Sequence, residues 1–70
     1  MNNANLLVDV SNSRTKFVLE TNGVFSPVRM LPTAELSVPA VRRLLLGWEY
    51  GRSVAASVVP AKSACLEEAL

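Results

Sequence analysis

Seventy residues, half of them hydrophobic and only 19% charged, are enough for one small domain, argue against disorder and for a chain that folds around a core, and give no sign of two domains within this length. Seven basic against six acidic residues leave a net charge of +1 with no block of like charge, which removes nucleic acid and anionic membrane as expected partners. A single cysteine, Cys65, and no histidine exclude an internal disulfide, the usual zinc ligand sets and a histidine base.

Leu6, Leu7, Val8, Asp9 and Val10 form a short, nearly continuous apolar run, which predicts a strand buried on both faces and central to its sheet. Ser11, Asn12 and Ser13 are turn formers. Thr15 to Glu20 then predicts a second strand, with Phe17 and Leu19 on one face and Lys16 and Val18 on the other, paired to the first as a hairpin. Asn22 and Gly23 both tolerate positive φ and predict a tight turn into a third strand, Val24 to Leu31. Pro27 lacks a backbone donor, so that strand belongs at an edge.

Pro32 and Thr33 end the third strand. Ser37 is a candidate N-cap, Pro39 fits a first helical turn, Val38, Val41 and Leu45 recur on one face, and Gly47 supplies the stop. Trp48 and Tyr50 are expected to seal the end of that helix, while Arg42 and Arg43 read as a solvated face. Ser53 to Val59 predicts a fourth strand, parallel to the first because a helix separates them. Pro60 breaks it, and Ala61 to Leu70 predicts a second helix with Cys65, Leu66, Ala69 and Leu70 as its apolar face.

The expectation is therefore an α/β chain with a mixed sheet, in the order strand, strand, strand, helix, strand, helix, and the spatial strand order three, two, one, four. The last residue lies in an apolar helical face with no cap after it, so the chain reads as cut; the Leu66 and Leu70 face is expected to be core or the surface that met a missing fifth strand, and it predicts self-association of the isolated piece. No basic segment followed by a long apolar run opens the chain, and no run approaches membrane-spanning length. A cytoplasmic protein is the expectation.

Chemistry concentrates in Asp9, Val10, Ser11, Asn12, Ser13, Arg14, Thr15 and Lys16, across the first hairpin turn. A tight turn aims backbone N–H groups inward, Asn12 and Ser13 add side-chain donors, and Lys16 adds positive charge, which together suit a phosphate. Asp9, at a strand end, suits a hydrated divalent cation beside it. The same residue types also suit an ordinary hairpin in which Asp9 caps the turn and Lys16 is a solvated strand residue.

The opening Leu-Leu-Val-Asp-Val-Ser-Asn-Ser-Arg-Thr-Lys-Phe resembles the start of the type III pantothenate kinases, where a buried strand ends in Asp-x-Gly-Asn-Thr or Asp-x-Gly-Asn-Ser, often followed by lysine. Ala56-Ser57-Val58-Val59-Pro60, leading to Leu66-Glu67-Glu68-Ala69-Leu70, resembles that family's fourth strand and second helix. The resemblance implies a partial ribonuclease H-like fold, with residues 1–70 the N-terminal part of a larger two-domain kinase. It further implies ATP-dependent phosphorylation of pantothenate in coenzyme A synthesis, with Mg2+, a monovalent cation (K+ or NH4+) and a homodimer.

By position, Asp9 would be the metal-side carboxylate, Asn12 and Ser13 phosphate contacts and Lys16 the cationic partner, while Val10, Ser11, Arg14 and Thr15 complete the turn mainly through backbone. Ser11 stands where the family has glycine, which costs conformational energy if the position needs positive φ and crowds a phosphate if close approach is needed. The family's pantothenate-binding segment, its Gly-x-Asp-Arg stretch with the catalytic base, its second phosphate motif and its adenosine pocket have no counterpart in these residues. The alternative is a non-catalytic nucleotide-binding or regulatory module derived from that kinase, or a small structural domain with no ligand.

Overall fold

The computed structural model describes residues 3–57 and 63–70. Strand β1 (Asn5–Val10) is central, flanked by the antiparallel β2 (Arg14–Thr21) and the parallel β5 (Arg52–Ser57). Two short strands, β3 (Val24–Phe25) and β4 (Arg29–Pro32), pair with successive stretches of β2, and the sheet runs β3-β2-β1-β5. Helix α1 (Val38–Leu44) lies between β4 and β5, and α2 (Ser63–Ala69) follows β5. The architecture is a mixed sheet with helices on one face.

Alternation along β1 decides which face that is. Leu6, Val8 and Val10 are buried and join Phe17 of β2 in a core closed by Leu36, Val41, Leu45 and Leu66. Phe17 is fully buried, which on its own stabilises the fold by about 2–3 kcal/mol. Leu7 is half-buried and Asp9 is exposed. The expected burial of β1 on both faces is thus corrected: the helical residues of the core pack against one side, and no described residue covers the other.

The expected third strand, Val24 to Leu31, is also corrected, because it is two strands and an interruption. Pro27 cannot donate to the ladder. Ser26 makes up the difference: its N–H donates to the Leu19 carbonyl at 2.8 Å, and its hydroxyl accepts from the Leu19 N–H at 2.9 Å while donating to the Pro27 carbonyl at 3.0 Å. A one-turn 3-10 helix at Thr33–Glu35, which the sequence did not suggest, then carries the chain toward α1.

Helix α1 starts as expected. Ser37 is its N-cap, accepting from the Ala40 N–H at 3.2 Å, and Pro39 occupies the first turn. The chain leaves the helix at Leu45 and reverses through Gly47, whose φ of +87° suits glycine. Arg29 of β4 caps this end from across the sheet, donating to the Leu44 and Leu46 carbonyls at 2.8 and 3.0 Å with its guanidinium stacked 4.1 Å from the centre of the Trp48 ring. A cation at a helix C-terminus and over an indole is favourable on both counts.

Trp48 and Tyr50 pack against the core beside this cap, and Arg42 and Arg43 are exposed, Arg42 donating to the Glu68 carbonyl at 3.3 Å. In α2, Leu66 is buried and Ala69 and Leu70 pack against the core. Leu66 thus belongs to the core, while Ala69 and Leu70 are half-buried at its margin. The expected strand and helix residues Val58, Val59, Pro60, Ala61 and Lys62, and the side chain of Cys65, lie outside the described residues.

Candidate phosphate-binding turn

The β1–β2 hairpin is closed by Ser11 N–H donating to the Arg14 carbonyl at 3.0 Å. Among the described residues positive φ occurs at Asn22, Gly23 and Gly47 only, so Ser11 needs no glycine to adopt its conformation. The conformational cost expected for a serine at this position does not arise.

Thr33, in the 3-10 turn, holds the hairpin from outside. Its N–H donates to the Ser13 carbonyl at 3.0 Å and its hydroxyl to the Ser11 carbonyl at 2.6 Å, while the Thr15 hydroxyl lies 3.0 Å from the Thr33 hydroxyl. Both threonines are buried, and low-polarity surroundings make such bonds effective. With the Ser11 and Ser13 carbonyls drawn toward Thr33, Asn12, Ser13 and Arg14 remain exposed at the tip.

Strand alternation then sorts the remaining residues. Val10 and Thr15 face the core, pair in register and are buried, so they offer this turn backbone only. Asp9 and Lys16 pair in register on the opposite, open face. Arg14 precedes Lys16 by two residues on β2, hence shares its face. The structure therefore brings Asp9, Arg14 and Lys16 together below the exposed Asn12 and Ser13, and separates Val10 and Thr15 from them.

Arg14 as a second cation was missed in the sequence, where it counted only as turn backbone; the alternation Arg14-x-Lys16 was the available signal. Thr33 was missed as well, and nothing local in the sequence marks it. Asp9, expected near a buried strand end, is an exposed carboxylate. Among the described residues no group of three or more His, Cys, Asp or Glu side chains stands together. A lone exposed carboxylate does not make a protein cage for a metal, yet it fits Mg2+, which keeps most of its waters and is commonly held by one or two carboxylates together with phosphate oxygens.

Below Asp9 and Lys16 the open face continues as a shallow apolar trough of about 520 Å³, lined mainly by Leu7, Val18, Phe25, Val28 and Val54. No helix of the described residues is long and apolar enough to cross a membrane.

No family model matches the sequence. A type III pantothenate kinase of Akkermansia muciniphila is 46% identical over 56 residues, a stretch that covers 79% of this chain and 23% of that kinase.

Proposed function

We propose that this chain, kin to the type III pantothenate kinases, supplies the ATP phosphate-binding part of a kinase that phosphorylates pantothenate in coenzyme A synthesis, in the cytoplasm. The observation that carries the reading is the 46% identity; the common face of Asp9, Arg14 and Lys16 supports it. Phosphoryl transfer asks the protein for positioning and charge stabilisation more than for covalent chemistry. The exposed Asn12 and Ser13 would donate hydrogen bonds to the phosphates of ATP, and Arg14 and Lys16 would set two positive charges beside them.

Asp9, the register partner of Lys16, would be the carboxylate that holds hydrated Mg2+ beside the phosphates, with Lys16 offsetting its charge. Mg2+ neutralises phosphate charge when bound. K+ or NH4+ is the monovalent cation, and the complete kinase is a homodimer. The pantothenate site and the catalytic base come from sequence outside these residues, so this stretch binds nucleotide without turning it over.

Titration with ATP and magnesium, followed by amide NMR shifts, tests the reading. Saturable shifts centred on Asp9 to Lys16, abolished by Asp9→Ala, are the expected result. Shifts that are absent at millimolar nucleotide, or that persist unchanged in Asp9→Ala, overturn it.

A further inference from the structure

Thr33 fixes which way two peptide groups of the Ser11–Arg14 turn face. A hydroxyl carries one proton. The Thr33 hydroxyl spends its proton on the Ser11 carbonyl at 2.6 Å, so in its 3.0 Å contact with the Thr15 hydroxyl it accepts and Thr15 donates. The result is a directed relay, from the Thr15 hydroxyl to the Thr33 hydroxyl to the Ser11 carbonyl, and its buried members polarise one another. Beside it the Thr33 N–H takes the Ser13 carbonyl at 3.0 Å. Two carbonyls of the turn are thus drawn toward one buried residue.

That pull decides where the turn's donors point. No peptide bond of the described residues is cis, and in a trans peptide the N–H points opposite to the C=O of the same plane. With the Ser11 and Ser13 carbonyls turned inward to Thr33, the Asn12 and Arg14 N–H groups turn away from it, at the exposed tip. A β-turn commonly closes from the N–H of its fourth residue to the carbonyl of its first, which would consume the Arg14 donor. Here that carbonyl accepts the Thr33 hydroxyl, and the turn closes by the opposite bond, from the Ser11 N–H to the Arg14 carbonyl. The Asn12 N–H has no partner among the described residues. Backbone N–H groups presented in this way, with their carbonyls turned inward, favour an anion.

We infer that Thr33 is a positioning residue for the phosphate site: by drawing the Ser11 and Ser13 carbonyls inward, it presents the Asn12 and Arg14 backbone N–H groups to the nucleotide phosphates. The inference rests on the nucleotide reading of this turn. It gives a share of the affinity to a buried residue that touches no ligand.

The test is the affinity of the whole chain for ATP with magnesium, read by amide NMR and set beside stability in urea. Thr33→Val keeps the shape and removes the hydroxyl, and is expected to weaken binding by about tenfold. Thr33→Ser keeps the hydroxyl and loses a buried methyl, so it is expected to lower stability while leaving affinity within about twofold. Thr15→Val removes only the donor behind Thr33 and is expected to weaken binding by about twofold to threefold. A residue that merely stabilised the fold would leave affinity unchanged in every variant that folds. In the unaltered chain the Asn12 and Arg14 amide protons are expected to move downfield on binding, further than that of Ser13, a readout that holds even if Thr33→Val does not fold. Absence of binding by the unaltered chain overturns the nucleotide reading, and this inference with it. Full-strength binding by folded Thr33→Val, an equal loss of affinity in Thr33→Ser, or a downfield shift led by Ser13 overturns this inference alone.

Discussion

The two hairpin turns of this sheet are made in opposite ways. The Asn22–Gly23 turn is stored in its own residues: both have positive φ, 52° and 81°, and Glu20 three residues back accepts from the Gly23 N–H at 2.9 Å. The Ser11–Arg14 turn has no positive φ among its residues, and beyond its own Ser11–Arg14 hydrogen bond it is held by Thr33, eighteen to twenty-two positions away in the chain. A turn of the first kind is set before the fold exists; one of the second kind is set by the fold. The candidate site is the second kind, so its geometry is a report on the packing of the 3-10 turn behind it.

The largest effect expected from this contrast follows from Thr33→Val. It removes both hydroxyl bonds and leaves the Ser11 carbonyl and the buried Thr15 hydroxyl short of partners, costing about 2–3 kcal/mol, and urea unfolding monitored by Trp48 fluorescence measures it. Thr15→Val is expected to cost about 1–2 kcal/mol, and the double variant less than the sum, because removing both hydroxyls spares an orphan. Strict additivity would show that the two threonines act separately, and the contrast between the turns would lose its basis. Gly23→Ala puts a side chain at φ +81° and is expected to cost about 1 kcal/mol, with amide shifts confined to the second turn; shifts reaching Asn12 would contradict the independence of the two.

Ser11→Gly is expected to destabilise by about 0.5–1 kcal/mol, since the glycine gains freedom in the unfolded chain and the site does not need it. A gain in stability would mean that Ser11 is strained after all. The smallest effect is one of pH. The Asn5 side-chain amide, which donates to Glu20 at 2.8 Å, and then the Gly23 N–H hold the Glu20 carboxyl below its ordinary 4.5, with burial opposing slightly. A depressed folded-state pKa stabilises above the unfolded value, and that contribution is lost as pH falls through the folded one. Acidification below 4.5 should therefore loosen the Asn22–Gly23 turn, read from the Gly23 amide shift, and leave the Ser11 turn unmoved.

The same contrast explains what was legible in the sequence. Alternation in Arg14–Thr21, the Asn22–Gly23 pair and the Ser37 cap with Pro39 are local signals, and each appears in the fold where its residues said it would. The two-sided burial read for β1 failed because an apolar run records hydrophobicity and not which faces are covered; Leu7 and Asp9 look outward. Pro27 signalled an edge correctly, but the split into β3 and β4 depends on Ser26 replacing the missing donor, a contact with Leu19 across the strands. In the candidate site, Asp9 and Lys16 were singled out by residue type, and the register pairs them on one face. The latch by Thr33 was not, because it is tertiary.

One consequence lies in the margins of the sheet. On the β3 and β4 side, Pro27 and Pro32 interrupt the row of donors that another strand would read, while β5 carries no proline in Arg52–Ser57 and pairs, among the described residues, with β1 alone. The sheet therefore has a direction of growth. Chain added beside β5 can continue it, whereas chain added beside β4 meets an edge interrupted by proline.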